Sequence, residues 1–237
     1  MTRALLCLML VSLSGVSFAQ NSFYHDYKSF FGKDDRIGLF SKKAKARFSP
    51  EVLEKITANT LLVNCGSQGK PATGFLLKAK DGTHILTAAH NVQLATTHKP
   101  CNASRYNEYA VQVTDFVTNA NYQDNATLSD VGFDTARAKS LTLSGGFKIC
   151  ESIDLTSTLV VPQSYDGTGY LALPPICRAT KVSETVITTN CRGHYKASGA
   201  PLLSIKDNKV CVAGLFNAHS GSLMNYESYA ANMAQGN

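Results

Sequence analysis

Short β-favouring runs separated by turn residues constrain this chain more than any other feature. Thr60 to Asn64, Thr73 to Ala79, His84 to Thr87, Tyr109 to Phe116 and Thr158 to Val161 are such runs. So are Gly169 to Leu173, Cys177 to Ser183, Thr185 to Thr189, Ala200 to Ile205 and Lys209 to Phe216. Lys80-Asp81-Gly82, Asp166-Gly167 and Asp207-Asn208 carry turn chemistry between them. Strands this short cannot enclose a core singly, so the pattern predicts an all-β barrel or sandwich. Helix signals are few. Ser49 followed by Pro50 reads as a cap and a first helical residue, predicting a short helix over Pro50 to Ile56. Tyr226 to Met233 is a second helix candidate.

Residues Met1 to Ala19 read as a signal peptide. Arg3 supplies the positive start, Leu5 to Val11 the apolar run, and Ser17-Phe18-Ala19 the small-x-small cleavage pattern. That run is too short to span a bilayer, and no later stretch is suited to it. A secreted or periplasmic protein without stable membrane insertion is expected. Loss of the signal removes Cys7 and leaves Cys65, Cys101, Cys150, Cys177, Cys191 and Cys211. An even number outside the cytoplasm suggests disulfides. Cys177–Cys191 is favoured because the run between them reads as a hairpin. Cys65–Cys101 ties an early strand to the loop after His90, and Cys150–Cys211 follows by elimination. Zinc competes poorly, since no cysteine pair has C-x-x-C spacing and no histidine pair has ligand spacing. No metal or cofactor is expected.

The 237 residues, 44% hydrophobic and 17% charged, suit one domain of two barrels or two small domains. Gln20 to about residue 57 reads as an N-terminal arm or propeptide, either removed or docked, with Arg36 and Arg47 as candidate cut sites. The main domain is then 58–237. The net charge of +6 bears on solubility and not on fold. The one basic cluster, Lys42 to Arg47, has no interleaved aromatic residues, so a nucleic-acid partner is not expected.

Three stretches carry chemistry: Thr87-Ala88-Ala89-His90, Asp134-Thr135-Ala136 and Ser198-Gly199-Ala200-Pro201. A serine hydroxyl is a poor nucleophile until an imidazole takes its proton. The imidazole in turn needs a carboxylate to fix its tautomer and stabilise its charged form. His90, Asp134 and Ser198 supply these groups. Asp130 competes with Asp134, which is preferred because Thr135-Ala136 follows it.

Gly74-Phe75-Leu76-Leu77 with Ile85 to His90, Phe133 to Ala136, and Ser198 to Leu203 with Val212 to Leu215 resemble the motif set of trypsin-like serine peptidases. Gly32-Lys33-Asp34-Asp35-Arg36 resembles an element of the bacterial glutamyl-endopeptidase branch. The likeness runs from about Gly32 to Gly221. It implies two six-stranded antiparallel β-barrels with a His90–Asp134–Ser198 triad between them. It also implies a monomeric endopeptidase acting on polypeptides, with an oxyanion hole from the N–H groups of Lys196 and Ser198. Arg192, Phe216, Asn217 and His219 fall in the segments that line the primary specificity pocket. No carboxylate lies in those segments, so Arg192 and His219 suit an acidic side chain; an apolar pocket made by Phe216 is the alternative.

The chain departs from the pattern in three places. Ala197 replaces the aspartate that pairs with a new amino terminus in zymogens, so activation by that salt bridge is unavailable. Lys196 stands where the family has glycine, and Asn91 follows His90 in place of a cysteine. Lys196 keeps open a second reading, a catalytically silent relative that binds a protein partner.

Overall fold

The computed structural model describes residues 37–65, 71–93, 100–123, 128–153, 155–165, 170–173, 176–193, 196–220 and 227–233. The predicted signal peptide, the segment through Arg36 and the pair His194-Tyr195 lie outside them. All described residues fall within a unit from Asp35 to Asn237.

The described chain opens with β1 (Ile37–Gly38), α1 (Lys42–Arg47) and α2 (Pro50–Asn59). The Ser49 hydroxyl caps α2 by accepting the Val52 N–H at 3.4 Å, and Pro50 takes the first helical position. The helix runs past the predicted Ile56. Asn59 bonds back to the Lys55 carbonyl, and its Oδ1 accepts the Gly146 N–H at 2.7 Å. Val52, Leu53 and Ile56 share one buried face. They join Leu39, Ala44 and Phe48 in a core with Phe75, Phe147, Leu203, Val212 and Leu215. Burying each large side chain contributes about 1.5–3 kcal/mol. The 57/58 boundary read from sequence therefore falls inside a packed helix, and residues 37–57 are docked on the β structure. The basic cluster is α1, capped by Ser41, with Ala44 turned into the core.

Next come β2 (Thr60–Cys65), β3 (Pro71–Ala79), β4 (Gly82–Thr87), α3 (Ala89–Gln93), β5 (Cys101–Ser104), β6 (Val111–Val113), β7 (Val117–Thr118), α4 (Leu128–Phe133) and β8 (Ala136–Lys139). The strands form an antiparallel sheet in the order β6-β5-β2-β3-β4-β8-β7. It has seven strands where six were expected, because the short β7 adds to the outer edge of β8.

The second half holds β9 (Leu159–Val160), β10 (Gln163–Tyr165), β11 (Tyr170–Leu173), β12 (Ala179–Val182), β13 (Val186–Thr189), β14 (Ala200–Lys206), β15 (Lys209–Ser220) and β16 (Glu227–Asn232). Six of them make a sheet in the order β12-β13-β16-β15-β14-β9, while β1, β11 and β10 form a small third sheet. The β14–β15 hairpin turns at the predicted Asp207-Asn208. Both residues have positive φ, 50° and 59°, the handedness that matches strand twist.

The predicted helix over Tyr226 to Met233 is a correction, since Glu227–Asn232 is strand β16. It pairs with β13 on one side and β15 on the other. A full ladder on both edges outweighs the helix preference of Ala230 and Ala231, which are buried there.

Three disulfides form: Cys65–Cys101, Cys150–Cys211 and Cys177–Cys191. They fit an oxidising compartment. The first joins directly opposed residues of β2 and β5. Among the described residues no helix is long and apolar enough to cross a membrane.

Candidate active site

Strand β4 ends at Thr87, and Ala88 and Ala89 after it are fully buried. Their small side chains let the chain turn straight into α3, whose second residue is His90. His90 Nδ1 lies 2.6 Å from Asp134 Oδ2, and the His90 backbone N–H donates to Asp134 Oδ1 at 3.0 Å. One carboxylate thus holds both the ring and its backbone. Asp134 sits between the end of α4 and the start of β8, where the Thr135 N–H turns back to the Phe133 carbonyl. The Asp134 side chain is 9% exposed, whereas the His90 side chain is 28% exposed. The carboxylate is screened from water, and the ring still reaches solvent. An imidazole held through Nδ1 in this way presents Nε2 as a proton acceptor.

Ser198 lies on the loop entering β14. Gly199, with φ of +84°, packs so tightly that a Cβ there would strike the Thr73 carbonyl and the Thr87 hydroxyl. Only glycine fits both the angle and the space. The loop before it is tied down by its carbonyls. The Thr73 hydroxyl donates to the Lys196 carbonyl at 2.7 Å. The Ala200 N–H donates to the Ala197 carbonyl at 2.9 Å, and the Thr73 N–H to the Ser198 carbonyl at 3.2 Å. Asn91 Nδ2 donates to the Ser198 carbonyl at 3.1 Å and to the Thr87 hydroxyl at 3.1 Å. Thr73 and Asn91 belong to the seven-stranded side, so these bonds cross from one sheet to the loop of the other. Asn91 is the chain neighbour of His90, so the loop that carries Ser198 is hydrogen-bonded to the residue next to His90.

Lys196 has φ of +78°, in the left-handed region. This is a conformation that favours glycine, and here a lysine adopts it. The Ser198 hydroxyl donates to the Asn217 carbonyl at 3.2 Å. Asn217 is buried; its Nδ2 donates to the Val131 carbonyl at 2.9 Å, linking β15 to α4.

The remaining expected site residues are spread around this loop. Arg192 is exposed, and its carbonyl accepts from Nε2 of the buried Gln163 at 3.4 Å. Phe216 is 2% exposed, and its ring lies where a Cβ on Gly193 would be. His219 stands opposite Ser228 on β15. The signal for Thr73, which was not singled out in the sequence, was its place immediately before Gly74-Phe75.

Two antiparallel half-barrel sheets, one carrying His90 and Asp134 and the other leading from Ser198, make this the chymotrypsin-like two-barrel fold of serine proteases. Among solved structures, a Glu endopeptidase in complex with MPD matches with a TM-score of 0.58 and 18% identity, over 85% of this chain and 92% of that one. The Rv3671c protease of M. tuberculosis matches with a TM-score of 0.58 and 15% identity, over 80% and 82%. A serine endoprotease from Yersinia pestis matches with a TM-score of 0.57 and 13% identity, over 78% of this chain and 62% of that one. This chain therefore spans less than two thirds of the Yersinia protein. No protein-family model and no curated protein matches the sequence.

Proposed function

We propose that the protein is a secreted serine endopeptidase in which Ser198 is the nucleophile, His90 the general base and then acid, and Asp134 the group that orients His90. The two-point grip of Asp134 on His90 carries this reading, because an imidazole with no such task needs no buried carboxylate on both its ring and its backbone. In the reaction the Ser198 hydroxyl leaves the Asn217 carbonyl and gives its proton to His90 Nε2 as Oγ attacks the peptide carbonyl. His90 then passes that proton to the leaving amine, and water repeats the sequence on the acyl-enzyme. The Ser198 N–H stabilises the oxyanion, since the Ala197 carbonyl in the same peptide unit is turned the other way onto Ala200. The Lys196 N–H is the second donor of the hole.

The buried Phe216 ring against Gly193 supports the apolar pocket over the acidic one. An apolar ring at that wall suits a small or apolar substrate side chain, and the exposed Arg192 gives no buried counter-charge. The segment from Ile37 to Asn59 stays in the mature enzyme because it supplies part of the core. Any maturation cut therefore falls before Ile37, and Arg47 is not a cut site. The silent-relative reading draws on the resting bond of Ser198 to Asn217 in place of His90.

A peptide library incubated with the secreted protein tests these readings. Cleavage that disappears in Ser198→Ala supports the peptidase, and a preference for small or apolar residues before the cut supports the Phe216 pocket. No cleavage of any peptide favours the silent relative, and cleavage after Asp or Glu would restore the acidic pocket.

A further inference from the structure

We propose that Thr73 and Asn91 are positioning residues that hold the Lys196–Ser198 loop in its working shape from the opposite sheet. The inference rests on Ser198 being the nucleophile for its catalytic part, but not for its structural part. A left-handed lysine costs about 1 kcal/mol or more relative to glycine, so something must hold Lys196 there. The carbonyl of Lys196 is the far end of its own φ/ψ pair, and the Thr73 hydroxyl pins it at 2.7 Å. The same residue pins the Ser198 carbonyl with its backbone N–H. Asn91 Nδ2 adds a second donor to the Ser198 carbonyl.

The donors are themselves fixed. The Thr87 hydroxyl donates to the Thr73 carbonyl at 2.9 Å and accepts from Asn91. Thr73 and Thr87 are both fully buried, so water does not compete for these bonds. Each peptide unit is planar, so fixing its carbonyl also fixes the N–H on its other side. Thr73 and Asn91 pin the carbonyls of Lys196 and Ser198 and so set the N–H groups of Ala197 and Gly199; the Ser198 N–H lies between these two fixed peptide units, its own unit held by the Ala200 N–H on the Ala197 carbonyl. Asn91 occupies the position after His90 where the resembled family carries a cysteine. In this chain hydrogen bonds from Asn91 and Thr73 connect that position to the nucleophile loop.

The test compares Thr73→Val, Thr73→Ser and Asn91→Ala with the wild type. Thr73→Val keeps the shape and the backbone N–H and removes only the hydroxyl. Two readouts are taken: the rate of Ser198 labelling by a fluorophosphonate, and hydrogen exchange of the segment from Lys196 to Pro201. Thr73→Val and Asn91→Ala should exchange faster there and label about tenfold more slowly, while Thr73→Ser recovers both. Lys196→Gly placed in the Thr73→Val background should regain part of the labelling rate, because glycine needs no tether. Wild-type exchange in a folded Thr73→Val protein would overturn the proposal. So would faster exchange with unchanged labelling. If Thr73→Val does not fold, Asn91→Ala carries the same test. If the wild type never labels, the nucleophile reading fails, and the exchange data still decide whether the clamp exists.

Discussion

His90 and Asp134 meet side chain to side chain on the seven-stranded half of the molecule, whereas Lys196 and Ser198 on the other half are held through backbone carbonyls. The first arrangement needs two residue types at the ends of β4 and α4. The second needs a left-handed lysine, a glycine with no room for a Cβ, and donors reaching from the opposite sheet. A side-chain pair fails all at once when one member is removed. A backbone-held loop degrades by degrees as its tethers are cut one at a time.

The largest break in that contrast comes from the side chains themselves. Ser198→Ala and His90→Ala should each lower peptide cleavage by on the order of 10⁴-fold or more, with both variants still folded. Asp134→Asn should approach the same loss, because it favours the wrong imidazole tautomer. An Asp134→Asn enzyme within tenfold of wild type would mean that the grip on His90 is only structural.

A second prediction concerns the docked arm that packs beneath both halves. Ile56→Ala should destabilise the protein by about 2–5 kcal/mol, read from urea unfolding. Ile56 is fully buried among Phe75, Phe147 and Leu215, so the cavity has no easy way to close. An unchanged midpoint would mean that residues 37–59 are a dispensable arm.

Lys196 sharpens the backbone side of the comparison. Lys196→Gly should label at a rate within a few fold of wild type. Lys196→Val, with a β-branched side chain in the left-handed region, should be less stable than Lys196→Gly by about 1–2 kcal/mol. Equal stability of the two variants would show that φ at this position is not maintained in solution.

The smallest effect belongs to a pair away from the site. The hydrogen bond from His84 holds the Asp81 carboxyl below its ordinary value of 3.8, helped by the Asp81 backbone N–H. A carboxyl depressed in the folded state adds stability above its unfolded value and loses it as the pH falls through the folded one. Asp81 is exposed, so Asp81→Asn should leave melting at pH 7 nearly unchanged and slightly reduce the acid sensitivity below about pH 4. A large loss at neutral pH would contradict this.

The same contrast explains what the sequence made legible. Short β-favouring runs and the turns at Gly82 and Asp207-Asn208 announce the strands directly, and His90 and Asp134 come with short motifs. Tyr226 to Met233 misled because its helix preference is local, while its ladders to β13 and β15 are long-range. The arm stayed open between removal and docking because its apolar positions, Leu39, Ala44 and Phe48, share a core with residues far along the chain, Leu173, Leu203 and Val212. Thr73 was silent for a similar reason: its partner Lys196 lies 123 residues away, and the bond is to a backbone atom that no motif encodes.

The most direct measurement is covalent. The purified protein is treated with a fluorophosphonate that reacts only with activated serines, then digested and mapped by mass spectrometry. We predict one adduct, on Ser198, that is absent from Ser198→Ala and nearly absent from His90→Ala. A folded wild-type protein with no adduct, or with its adduct on another serine, would contradict the account.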